Sequence, residues 1–168
     1  MSTKKLTTLS MLTALALIIF IIELRLPDLS SIPGVKLGLA NIITVYSVFH
    51  FKPTETMMLV GVRVLLGAVF SGNISALMYS LSGAVFCLCG MLIVKKIISE
   101  KYIWLCSIIG GILHNIGQIF MAVLVMHSFA VVSYLPVLII SGSLAGLFTG
   151  VCAQMVINRK GTNQNIKE

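Results

Sequence analysis

Six apolar runs, roughly 6–24, 37–51, 56–71, 74–94, 103–126 and 131–157, leave little of this chain for anything but turns. Each reaches or approaches the ~17–25 residues that carry a helix across a bilayer. With 58% hydrophobic residues, 10% charged residues and a mean hydropathy of +1.05, there is too little polar surface to cover a water-soluble domain. The expected fold is therefore all-α and integral to the membrane, with six transmembrane helices in one domain spanning 1–168. The second and third runs are short and are expected to end in tight, partly buried turns.

Lys4 and Lys5 precede the first run, as in a signal peptide. That run is long, is not followed by an A-x-A cleavage site and ends in Glu23-Leu24-Arg25, so it reads as a retained helix. Even helix number puts both termini on one side. Lys4, Lys5, Lys52, Lys95, Lys96, Lys101, Arg159, Lys160 and Lys167 share that side, against Arg25 and Lys36 opposite. The excess of basic residues makes both termini cytoplasmic, in a bacterial plasma membrane. It also accounts for most of the +7 net charge without nucleic acid. No metal or cofactor is expected. Cys87 and Cys89 are two apart on a helix and face opposite ways, while Cys106 and Cys152 lie near the cytoplasmic face. All four read as small packing residues, and the nine methionines as filler.

The polar residues within the runs converge on one half of the bilayer. Arg63 lies about eight residues from either end of its run, too deep to snorkel at about 1.5 Å per residue. A charge at that depth costs roughly 2.5–3.5 kcal/mol even on lenient scales, so it faces a protein interior or a wet cavity. Two roles stay open for it: a ligand contact, or a structural partner of a carboxylate such as Glu23. Asn41 lies about one and a half turns below the outer surface. His114 and Gln118 are four apart and share a face, with Asn115 beside them. The inner half offers only His50 and Gln154. Lys36, Asn41, Arg63, His114, Asn115 and Gln118 are the expected ligand-binding set, and its positive surplus favours an anion such as a carboxylate or phosphate. Above it, the segment 25–36 contains Pro27 and Pro33 and reads as a stiffened lid. Gly142, Gly146 and Gly150 form a ladder that lets a neighbouring backbone approach, inside the bundle or on a partner; Ser10 and Ala14 make a weaker small-residue pair.

Several of these residues lie in longer motifs. Pro33-Gly34-Val35-Lys36-Leu37-Gly38-Leu39-Ala40-Asn41, Arg63-Val64-Leu65-Leu66-Gly67, Tyr79-Ser80-Leu81-Ser82-Gly83, His114-Asn115-Ile116-Gly117-Gln118, Tyr134-Leu135-Pro136 and the glycine ladder resemble the Gx transporter family, often labelled heptaprenyl diphosphate synthase component I. The resemblance spans about residues 8–157. That family in turn resembles the substrate-binding S-components of energy-coupling-factor transporters. The resemblance implies an S-component-like six-helix bundle with an external loop over its ligand. It also implies docking through a small-residue motif on helix 1 to a transmembrane coupling subunit driven by ATPases. Ser10-x-x-x-Ala14 matches that motif loosely, with Ser in place of the first Ala.

The expected function is thus a membrane substrate-binding or transport subunit for a small anionic solute in an outer-half cavity. The alternative is a non-catalytic membrane accessory of polyprenyl diphosphate or quinone synthesis, or of membrane redox machinery. An enzyme is not expected. Prenyl chain elongation needs paired aspartate-rich motifs to hold magnesium against diphosphate, and Asp28 is the single aspartate. No G-x-x-x-x-G-K-[ST] loop is present, so energy would come from partners or a gradient.

Overall fold

Backbone polar groups have no water to bond within hydrocarbon, so long apolar runs must become helices. The computed structural model describes residues 3–25, 38–72 and 74–165. Its α-helices are α1 (Thr3–Arg25), α2 (Asn41–His50), α3 (Pro53–Ser71), α4 (Ile74–Val94), α5 (Ile103–Met126) and α6 (Leu135–Asn165), with 3₁₀ turns at Glu100–Tyr102 and Phe129–Tyr134. Local chemistry sets several ends. Pro53 opens α3, where its missing N–H costs nothing, and Glu55 accepts from the Lys52 N–H at 3.0 Å. Gly72, at φ 63°, closes the same helix in the left-handed region that glycine tolerates.

Among the described residues, five helices are long and apolar enough to cross a membrane. The sixth expected span, 37–51, corresponds to α2, which is only 10 residues long. At 1.5 Å per residue it covers about 15 Å, half of a hydrocarbon core of about 30 Å. Helix formation starts late because Gly38 turns the chain at φ 67° and Leu39-Ala40 make a further turn. This short helix is the most enclosed element. It touches each of the other five α-helices, whereas α1, α3, α4, α5 and α6 follow one another around it.

Both hydrophobic clusters meet at α2. Val45, Val48 and Phe49 pack with Cys87, Leu88 and Met91 of α4, Ile103 and Cys106 of α5, and Ala153 of α6. On its other side Ile43 joins Leu9 and Ala16 of α1, Leu59, Val60 and Val64 of α3, and Ala84 of α4. The C-terminal end of α2 is capped by Lys95, whose ammonium donates to the Val48 carbonyl at 2.6 Å and lies 5.5 Å from the Phe49 ring. A cation there complements the negative end of the helix. Thr56 Oγ1 donates to the Ser47 carbonyl at 3.1 Å and ties α3 to the same end. Other polar contacts fasten the basic end of the bundle: Lys5 pairs with Glu55 at 2.8 Å, and Gln154 bridges the Ile103 N–H and the Glu100 carbonyl at 2.9 Å each. Cys87 is buried and Cys89 exposed, as their spacing requires.

Outward-facing side chains such as Met11, Ile18, Val69, Phe70, Ile140, Leu144 and Phe148 are exposed, giving the bundle an apolar exterior suited to lipid. Since lipid is as apolar as these side chains, close packing must hold the helices together, and small residues provide it. A Cβ on Gly146 would stand 2.7 Å from both Ile108 Cα and Ser107 O, and one on Gly150 would stand 2.7 Å from Trp104 Cα. The glycine ladder of α6 is therefore spent inside the bundle, against α5. Ser10 and Ala14 are exposed on α1 and belong to no such seam.

Gly146→Ala should lower stability by about 1–3 kcal/mol, because its contacts are backbone atoms that cannot swing aside. Gly61, which meets nothing within 4 Å, should accept alanine with no loss of Tm. Lys95→Met should cost about 1.5–3 kcal/mol through loss of a charged hydrogen bond, read as a lower Tm in detergent.

Candidate functional site

Because α2 fills only half the bundle's depth, the half beyond its N-terminus is hollow. A cavity of about 560 Å³ lies there, bounded by every α-helix and by the turn before α6. Its size falls within the ~300–1,000 Å³ range of small-molecule sites.

α3 contributes Arg63, which is only 7% exposed and lines the cavity with Val64 and Gly67. Arg63 makes no hydrogen bond to another described residue. α1 contributes Phe20 and Glu23, and Gly67 lets the Phe20 ring approach α3: a Cβ there would stand 2.9 Å from Phe20 Cε1. Glu23, also 7% exposed, accepts a short hydrogen bond from the Gly38 N–H, which anchors the entry to α2. Glu23 and Arg63 share the cavity and attract each other, yet no ion pair joins them among the described residues. Glu23 is thus engaged by backbone, and Arg63 is not held as its hydrogen-bonded partner.

α5 supplies the opposite wall. His114, Asn115 and Gln118 all line the cavity, as their spacing predicts. Their roles differ. Asn115 is buried, and its Nδ2 donates to the Leu138 carbonyl of α6 at 2.6 Å, so half its amide serves the α5–α6 seam. Gln118 makes no hydrogen bond to another described residue. His114 is seated against α4, where a Cβ on Gly83 would stand 2.8 Å from its Cε1. Its Nδ1 is buried without a hydrogen-bond partner among the described residues. The neighbouring Ser82 Oγ donates to the Gly117 carbonyl at 2.7 Å and locks α4 to α5. Asn41 completes the set at the start of α2.

The structure thus brings together Asn41, Arg63, His114, Asn115 and Gln118. Lys36 and the proline loop lie outside the described residues. Sequence reasoning passed over other lining groups. Tyr79 and Ser80 of α4 and Tyr134 of the 129–134 turn border the cavity, as do Ser107 and Thr149, which bond each other at 3.1 Å. Tyr79, Ser80 and Tyr134 belong to motifs visible in the sequence, but polar residues at apparent helix ends carry no sign of facing inward. Val131 and Tyr134 also make the connection between α5 and α6 part of the cavity's border. His50 and Gln154 stand apart from the cavity: His50 stacks on Tyr46 at 4.6 Å, and Gln154 fastens α6 to the start of α5.

An all-helical membrane bundle with a half-length central helix and a charged, mostly apolar cavity is the class these features define. A family model described as heptaprenyl diphosphate synthase component I matches residues 12–156, and the chain belongs to that family. Comparison with curated proteins and with solved structures gave no match.

Asn115 and Gln118 should separate on mutation. Asn115→Ala should lower stability by about 1 kcal/mol through loss of its bond to Leu138. Gln118→Ala should leave Tm unchanged, and equal losses in both variants would contradict the division of roles.

Proposed function

We propose that this protein is a membrane subunit that binds a small anionic solute in the cavity and takes part in its transport. The observation that carries the proposal is a buried arginine with no hydrogen-bond partner among the described residues, lining a cavity large enough for an organic molecule. A guanidinium kept in the hydrocarbon half of a bundle is a standing demand for an anion. The amide of Gln118 and the imidazole of His114 offer further hydrogen bonds on the facing wall. The N-terminal end of α2 adds the positive end of a helix dipole, a device used by half-length helices in transporters.

The basic residues around Lys5, Lys52, Lys95 and Lys101 favour placing the opposite end of the bundle, at the C-terminus of α2, in the cytoplasm of a bacterial cell, with both termini inside. The cavity then faces outward, and solute is proposed to enter from outside. Energy would be supplied by a coupling subunit with its ATPases, docked near the exposed Ser10 and Ala14 of α1, or by an ion gradient. The protein is proposed to carry out no catalysis, because a single aspartate cannot furnish the paired acidic motifs of prenyl transfer. The family description favours a second reading, a non-catalytic membrane accessory of a prenyl diphosphate synthase.

Native mass spectrometry of the gently extracted protein tests the proposal. The wild type should carry a small-molecule adduct that disappears in Ala122→Phe, a substitution that places a ring in the cavity. Identical adduct spectra for the two proteins would put the ligand elsewhere and end the cavity reading.

A further inference from the structure

We infer that the cavity continues into a deep arm between α5 and α6, and that this arm receives a slender, unbranched apolar end of the ligand. The inference rests on the binding role proposed above and adds a requirement of shape, whatever charge the ligand carries.

The lining residues show where the arm lies. Counted from the basic end of the bundle, they begin at Phe20 on α1 and at Arg63 on α3. On α4, which runs the opposite way, they end at Ser80, and α2 contributes Ala40 and Asn41 at its start. On α5 and α6 they continue further toward the basic end, to Ser107 and Thr149. Ser107 lies about 10 Å beyond His114, at 1.5 Å per residue. The cavity is thus broad where all six α-helices border it. It narrows to a groove walled by Gly111, Ala145 and Gly146, with Ser107 and Thr149 at its end.

The groove is narrow because α5 and α6 are in backbone contact beside it. A Cβ on Gly111 would collide with the Gly142 carbonyl, and one on Gly146 would stand 2.7 Å from Ile108 Cα. Helices this close leave room beside their small residues for a methylene chain but not for a branch point. The walls hold no long side chain that could swing aside to admit more.

The end of the arm asks for nothing polar. Thr149 Oγ1 donates to the Ala145 carbonyl at 2.9 Å, which leaves Ser107 to donate in the 3.1 Å bond between the two hydroxyls. Both protons are spent, so an apolar terminus strands no donor. Burial of that terminus against glycine and alanine is favourable through the apolar surface it removes from water. The polar groups of the site, Arg63, His114 and Gln118, all stand before the arm begins. The ligand class is therefore an amphiphile whose polar part stays with those residues while a linear alkyl end points toward Ser107.

Native mass spectrometry of the full-length protein in mild detergent tests this with Ala145→Phe, which fills the arm. The variant should lose the small-molecule adduct, as Ala122→Phe does. An adduct lost in Ala122→Phe and kept in Ala145→Phe would overturn the inference and leave the binding role standing. An adduct that Ala122→Phe keeps would end both. Should Ala145→Phe fold poorly, Ala145→Cys makes a far smaller change and supplies a second measure. In protein dialysed free of adduct, n-butyl methanethiosulfonate should modify residue 145 about tenfold faster than tert-butyl methanethiosulfonate, read by peptide mass spectrometry. Equal rates, or no reaction with the linear reagent, would overturn the inference.

Discussion

The architecture depends on a helix that is half as long as the membrane is thick. α2 has 10 residues, and each of the other five α-helices is about twice that length or more. Wherever such a helix lies in the bundle, it can fill only half the space that the others enclose. It lies at the centre, and both apolar clusters gather on its sides. Its C-terminal end is closed by the Lys95 ammonium, while Glu23 holds the backbone leading into its N-terminal end. The opposite signs of these two residues agree with the dipole of the helix between them. The solid half of the bundle and the hollow half are consequences of the same short element.

The walls of the hollow half are held by contacts between small residues. Lipid gives apolar side chains no reason to prefer each other, so association requires backbones to come close and hydrogen bonds to cross between helices. Gly146 and Gly150 do the first between α6 and α5; Ser82 with Gly117 and Asn115 with Leu138 do the second. Several of these residues also border the cavity. A residue that sets the spacing of two helices therefore sets the shape of the site, and Gly83 does so most directly by making room for the His114 ring. In this chain the glycine contacts and the cavity wall are physically one structure.

Much of the site was legible before any coordinates, because membrane burial makes polar residues conspicuous. Arg63, His114 and Gln118 stand out against apolar runs, and depth along a helix follows from counting. Asn115 was legible as a site residue but not as a seam residue, since its bond to Leu138 depends on where α6 lies. The glycine ladder signalled close packing without naming its partner. Ser107 and Thr149 were invisible: small hydroxyls are common in membrane helices, and only their mutual 3.1 Å contact at the cavity's edge sets these two apart.

The sequence by itself determined the class of fold, the positions of the long helices and where along them the ionisable groups fall. Hydrophobic length and the cost of burying charge are local properties, readable one segment at a time. Tertiary structure alone decided that the second apolar run becomes a short central helix and that the α6 ladder meets α5. It also decided that Glu23 bonds backbone while Arg63 is left to face a cavity. Those outcomes depend on which surfaces meet, and an apolar helix surrounded by lipid offers too uniform a surface for the meeting to be read in advance.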